Sequence, residues 1–188
     1  MRLHGKAKKL AGERVRLRRH EKSDYGLYGE WYGDPEVWRL TSWAPEPLTP
    51  SAVSRLFEDR EMSATEDSFA IFSDAEESPI GIISLMNISE ANATAELSVI
   101  IGERNGRSRG YGTDAIVTIL RYGFEELGLQ RIGLSVFDFN EKAIRVYERV
   151  GFREEGCLRT VLERDGARRD AILMSILEPE WRESQGVS

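Results

Sequence analysis

A glycine-spaced, arginine-bearing turn, Arg107-Ser108-Arg109-Gly110-Tyr111-Gly112-Thr113, lies between an apolar run and an amphipathic one. Those residue types in that order suit a pyrophosphate. Gly110 and Gly112 remove side chains that would hold a ligand off the backbone, and the helix start that follows presents unpaired N–H groups with partial positive charge. Arg107 and Arg109 add formal charge on the same rim. An ordinary turn is the competing reading of any Gly-x-Gly. Against it stand the flanking elements: the strand-like residues 95–101 before the turn, and afterwards a helical face of Ala115, Ile116, Ile119, Leu120, Gly123, Phe124 and Leu127 stopping at Gly128. The string 110–115 matches G-x-G-x-x-A, but that dinucleotide fingerprint follows its strand at once, and here residues 103–109 intervene. No lysine follows either glycine, so a Walker loop does not fit.

Asn140 and Tyr147, seven residues apart, share one face of a second helix that ends at Val150 before Gly151. Taken alone, Asn140 reads as an N-cap and Tyr147 as a half-buried aromatic. Beside the glycine turn, both border the same cleft.

Composition narrows the alternatives. The single cysteine, Cys157, permits no internal disulfide and no multi-cysteine metal site, suits a reducing compartment, and reads as a packing residue. With only His4 and His20 as imidazoles, neither a histidine triad nor a zinc centre is expected, and no metal is. No apolar run approaches membrane-spanning length, and residues 1–12 carry lysines without an apolar signal core, so the expected location is the cytoplasm, with no membrane partner. The net charge of −6 weighs against nucleic-acid binding and is compatible with a cationic acceptor. Contact of Lys6, Lys8 and Lys9 with RNA competes here with a disordered terminus.

One domain is expected over residues 13–182 of the 188, between a basic tail (1–12) and a short C-terminal tail (183–188). The patterns predict strands over 14–19, 69–73, 80–87, 94–101, 131–139, 152–162 and 170–177, and helices from Ser23 or Asp24 to Tyr32, over 51–62, after the glycine turn, and from Asn140. Pro35, Pro45, Pro47 and Pro50 are expected to break the stretch between the first two helices. The fold class is α/β in the α+β sense: one twisted, mostly antiparallel sheet of six to seven strands with about four helices. The unit 94–139 supplies one parallel strand pair.

Through Ala95-Glu96-Leu97, Arg107-x-x-Gly110-x-Gly112-Thr113 and residues 140–152, the chain resembles the GNAT superfamily of N-acetyltransferases over residues 15–181. The likeness is to its ribosomal-protein N-terminal and spermidine acetyltransferase branch, for which Asp170 and Glu180-Trp181 also have counterparts. The resemblance implies acetyl coenzyme A held where two parallel strands splay. The backbone of Val99, Ile100 and Ile101 would bind the pantetheine arm, and Arg107, Ser108, Arg109, Gly110, Tyr111, Gly112 and Thr113 the pyrophosphate. Asn140, Lys142, Ala143, Tyr147 and Arg149 would line the cofactor along the second helix.

In that setting Tyr147 protonates the leaving thiolate and Glu96 is the candidate base, with pairing to an arginine or anchoring of a cationic acceptor as the competing roles for Glu96. An acceptor, a small primary amine or a peptide N-terminus, would meet Trp31, Asp34, Trp38 and Asp170, although the tryptophans read equally well as core. Homodimers are common among similar proteins. The alternative function is a catalytically silent coenzyme-A-binding regulatory module, against which the presence of Tyr147 and Glu96 weighs.

Overall fold

The computed structural model of the chain describes residues 9–107 and 109–185; Ser108, His4, Lys6 and Lys8, named above, lie outside the described residues. In chain order the elements are β1 (Lys9–Ala11), β2 (Val15–Arg18), α1 (Tyr25–Gly33), α2 (Pro35–Thr41), α3 (Pro50–Met62), β3 (Asp67–Ser73), β4 (Gly81–Ser89), β5 (Thr94–Ile101), α4 (Tyr111–Arg121), β6 (Arg131–Phe137), α5 (Glu141–Val150), β7 (Arg153–Arg164), β8 (Ala167–Leu177) and α6 (Glu178–Ser184).

Among the described residues, eight strands form one sheet in the order β1-β2-β3-β4-β5-β6-β8-β7, in which β5 and β6 are the parallel pair. Alternation along β3 shows how its faces are used: Phe69 and Ile71 join Leu17, Ile83, Ile116 and Ile119 on one side, while Ala70 and Phe72 join Tyr25, Tyr28, Trp31, Val53 and Phe57 on the other. Every residue of β3 is buried, as expected of a strand covered on both faces. α4 and α5 cover one face, and α1 and α3 the other.

The feature that positions the site is a break in this sheet. β5 pairs with β6 at only three positions, Thr94 with Arg131, Ala95 with Ile132 and Glu96 with Gly133. Beyond them β5 follows β4 to Ile101 and β6 follows β8 to Phe137, so two strand edges diverge with unpaired backbone between them.

The fold departs from the sequence expectation at four places. Lys9, assigned to the basic tail, begins β1, whose Leu10 lies opposite Leu17 of β2, so the sheet gains an eighth strand. Pro35 and Pro50 start helices instead of breaking them: each occupies the first turn, where no N–H is needed, behind the N-caps Asp34 and Thr49. α6 extends the domain to Ser184, into the stretch read as a tail. The strand expected to reach residue 139 ends at Phe137. The turn at Asp165-Gly166 has φ of 54° and 74°, the two positive values a tight hairpin between β7 and β8 requires. Among the described residues, no helix is long and apolar enough to cross a membrane.

Candidate active site

A cleft of about 770 Å³ opens where β5 and β6 diverge, within the size range of small-molecule sites. Its walls are residues 96–101 of β5, residues 134–137 of β6, the start of α4 at Gly112, Thr113 and Ile116, one face of α5, and Glu36, Val37, Leu40 and Thr41 of α2. Glu96, Val99, Ile100, Ile101, Arg107, Gly110, Gly112, Thr113, Asn140, Lys142, Ala143, Tyr147 and Arg149 all line it. The structure thus brings most of the sequence-predicted residues to one cavity.

The glycine turn ends in a left-handed residue: Gly110, the N-cap of α4, has φ of 84°, a conformation L side chains rarely adopt. No side chain caps that helix, so its first amides remain available to an anion. The arginines divide their work. Arg107 donates to the Glu36 carboxylate at 2.7 Å, to the Ile101 carbonyl at 3.1 Å and to the Gly102 carbonyl at 3.2 Å, so it fastens α2 to the end of β5. Arg109 is exposed and does not line the cleft, and Tyr111 is half-buried outside it. α5 supplies Lys142, Arg145 and Arg149 as further cations on the wall. Ser108 lies outside the described residues.

Asn140 caps α5 by accepting the Ala143 N–H at 3.3 Å, and its amide donates to the Leu40 carbonyl of α2 at 3.2 Å. Tyr147, one turn before the end of α5, is 9% exposed and packs edge-on against Phe152 with ring centroids 5.7 Å apart. Burial pushes its phenol up to about 12, so it holds its proton throughout the physiological range. Glu96 is exposed at the point of divergence and accepts a hydrogen bond from Asn87 at 3.1 Å. Asn87 has φ of 51° beside the irregularity between β4 and β5. An asparagine tolerates that conformation, and the bend turns its side chain toward Glu96.

Of the proposed acceptor contacts, none lines the cleft. Trp31 is 5% exposed and packs at a tilt against Tyr28, and a Cβ on Gly102 would fall 2.0 Å from its ring. It is a pillar of the core under the end of β5. Trp38 carries the Arg164 guanidinium 3.8 Å from its ring centroid, and its indole N–H donates to Ala44. Arg164, 3% exposed, also donates to the Ser42 carbonyl at 2.6 Å, so it holds the segment after α2 against the β7–β8 hairpin. Asp34 accepts the Glu36 N–H and pairs with Arg104 at 3.1 Å; burial raises its carboxyl, but these donors leave it below its ordinary value. Asp170 accepts the Thr160 N–H at 2.7 Å and faces the Cys157 thiol. Cys157, expected to pack, is exposed on β7; desolvation and then the Asp170 carboxylate push its thiol up, against a nucleophilic thiolate.

Leu40, Thr41, Met86, Ser135 and Phe137 also line the cleft and were missed by sequence reasoning. Trp43, which also lines the cleft, is half-exposed there against Phe137. The signal for Leu40 and Thr41 was a helix that Pro35 opens; Phe137 was visible only as an apolar strand residue.

A family model described as an acetyltransferase (GNAT) domain matches residues 14–153. The chain is 30% identical over 168 residues to the spermidine N(1)-acetyltransferase of Escherichia coli strain K12, covering 89% of this chain and 88% of that one. It is 38% identical over 101 residues to a protein named putative ribosomal N-acetyltransferase YdaF in Bacillus subtilis, which covers 54% and 55% of the two chains. Among solved structures, spermidine N-acetyltransferase from Vibrio cholerae in complex with CoA and spermine superposes with a TM-score of 0.81 at 27% identity, over 89% of this chain and 98% of that one.

Proposed function

The chain belongs to the GNAT acetyltransferase family, and from that premise we propose that it transfers the acetyl group of acetyl coenzyme A to a single primary amine, most naturally a peptide N-terminus, by direct attack. The observation that carries this reading is the divergence after Glu96 and Gly133. It leaves two unpaired strand edges that an extended, amide-bearing arm can satisfy as an added strand would, so the cavity fits the pantetheine chain of the donor. The donor supplies an activated thioester. The residues present then divide the remaining tasks.

Val99, Ile100 and Ile101 offer main-chain groups along the arm, and the amide of the N-cap Gly110 with those of Gly112 and Thr113 in the first turn of α4 meet the anionic head, with Lys142 and Arg149 as nearby cations. Tyr147 holds a proton at its phenol oxygen, where the leaving sulfur needs a donor. Glu96, fixed by Asn87 and open to solvent, takes a proton from the acceptor ammonium directly or through water and so frees the neutral amine that attacks.

Charge on the acceptor side favours one amine over a polyamine. Among the described residues two carboxylates line the cleft, Glu36 and Glu96, and Glu36 is already engaged by Arg107. A polycation would therefore find one free carboxylate among Leu40, Trp43, Met86 and Phe137, which suit an apolar first side chain instead. The test is amine-dependent release of free thiol from acetyl coenzyme A with peptides, amino acids, aminoglycosides and spermidine. Peptide N-termini should be acetylated with higher kcat/KM than spermidine. If no amine stimulates thiol release, transferase activity is excluded; if spermidine is the preferred acceptor, the single-amine assignment fails.

Glu96→Gln is expected to lower kcat/KM by about tenfold, below the usual effect of losing a general base because solvent reaches this position and relays the proton in its place. Coenzyme A affinity should stay the same. A raised KM for the amine with kcat unchanged assigns Glu96 to acceptor binding alone.

A further inference from the structure

Arg14 is not a wall residue of the cleft, yet it engages three successive residues at the start of α4. Its Nη1 donates to the Arg109 carbonyl at 2.7 Å, its guanidinium lies 5.4 Å from the centre of the Tyr111 ring, and a Cβ on Gly110 would come within 2.8 Å of Nη1. Asp114 explains why an exposed arginine is held there. Its carboxylate accepts the backbone N–H groups of Glu13 at 3.2 Å, Arg14 at 2.8 Å and Val15 at 2.9 Å. The N–H of Asp114 in turn donates to the Gly110 carbonyl at 3.0 Å. The entry to β2 is clamped to the first turn of the helix that opens the cleft, and the clamp sets the origin of the Arg14 side chain.

The consequence lies in one peptide plane. In a trans peptide the C=O and the following N–H point in opposite directions. Arg14 draws the Arg109 carbonyl away from the cavity, so the Gly110 N–H of that same plane is directed to the other side, where Gly110 forms part of the cleft wall. A glycine at φ of 84° has little intrinsic resistance to rotation of its peptide, and an external pin is what selects one orientation. We propose that Arg14 is a positioning residue for the phosphate cradle: by holding the Arg109 carbonyl outward it keeps the Gly110 amide aimed at the anionic head of the acyl donor. The inference rests on the assignment of this cleft to acetyl coenzyme A. It gives Arg14 and Arg107 separate roles, with Arg14 orienting the backbone and Arg107 tying down α2.

Arg14→Ala and Arg14→Lys, compared with the unaltered chain, test it through calorimetric binding of coenzyme A and through turnover with two donors, acetyl coenzyme A and S-acetylpantetheine, which lacks the pyrophosphate. The alanine variant should bind coenzyme A about tenfold more weakly, the loss expected for one hydrogen bond to a charged group. Lysine, which keeps a donor but not the planar fork, should recover part of the loss. Turnover of S-acetylpantetheine should be the same in all three proteins. An unchanged affinity in Arg14→Ala, or an equal loss with both donors, would overturn the positioning role. Failure of the unaltered chain to bind coenzyme A would overturn the donor assignment itself, and the inference with it.

Discussion

Tyr147→Phe is expected to lower kcat by about a hundredfold while coenzyme A affinity and the folded spectrum stay those of the parent. The ring contact with Phe152 survives the change, so only the hydroxyl is lost. Magnitudes decide how that hydroxyl acts. An alkyl thiol ordinarily titrates near ~8.5, and the buried phenol is pushed up to about 12, so complete proton transfer to a solvated thiolate would be uphill by about 5 kcal/mol. The cavity that raises the phenol also disfavours a naked thiolate beside it, which narrows the gap. In the proposed transfer Tyr147 would therefore act chiefly as a strong hydrogen-bond donor to developing charge on sulfur, completing the transfer as that charge forms. The pH–rate profile should show no alkaline limb from this group below about pH 11. A phenylalanine variant with undiminished kcat, or an alkaline limb near pH 9 that the variant abolishes, contradicts the assignment.

Acid should destabilise the fold through His20, long before most carboxylates are protonated. Its ring sits 8% exposed, with Nδ1 2.8 Å from the Tyr28 hydroxyl and Nε2 2.7 Å from the Ser68 hydroxyl, which itself meets Ser84 at 2.7 Å. Burial, and then the field of Arg60, Arg19 and Arg18, lowers its pKa from 6.5 to about 3. The sign follows. Below pH 6.5 the unfolded chain takes up a proton that the native state refuses, so stability is complete above that pH and is lost as pH falls toward 3. The slope approaches 1.4 kcal/mol per pH unit, and the full loss is about 5 kcal/mol, comparable with the whole stability of many domains. Urea titrations between pH 7 and pH 4.5 measure it. A hydrogen-bonding but non-titrating variant, His20→Gln, should remove most of the slope over that window, although it will be less stable at pH 7. Equal slopes in both proteins would show that other groups carry the acid sensitivity.

The sequence exposed the glycine-turn and α5 walls of the cleft, the proposed cofactor side, more clearly than the α2 wall, the proposed acceptor side, and the reason is physical. The cofactor side is made by local chemistry: glycines at a helix start, an asparagine that caps α5, and a tyrosine two turns along the same face. Spacing within one element reports such arrangements. The acceptor side is assembled from elements far apart in the chain, as where Asn140 reaches the Leu40 carbonyl and Arg164 reaches Ser42. No local pattern encodes those meetings. Trp31 shows the limit of reading residue type alone, because an aromatic suited to an amine is equally suited to the space over Gly102. Asp114 makes the same point in reverse: it was visible as a letter in a glycine motif, but its three backbone partners come from residues about a hundred positions earlier. β1 went unseen because three residues with a lysine first have no periodicity to detect.

A donor recognised by main chain, as proposed for β5, would place few demands on the side chains that flank it. Along β5, Val99 and Ile101 pack toward the larger apolar cluster. These positions are therefore interchangeable among apolar residues of similar volume as far as the coenzyme is concerned, and substitution there should register as altered packing before it registers as altered donor choice. On the proposed reading the same economy would confine chemical individuality to the opposite mouth of the fork, where Leu40, Trp43, Met86 and Phe137 line the cleft, while the carrier's berth stays constant.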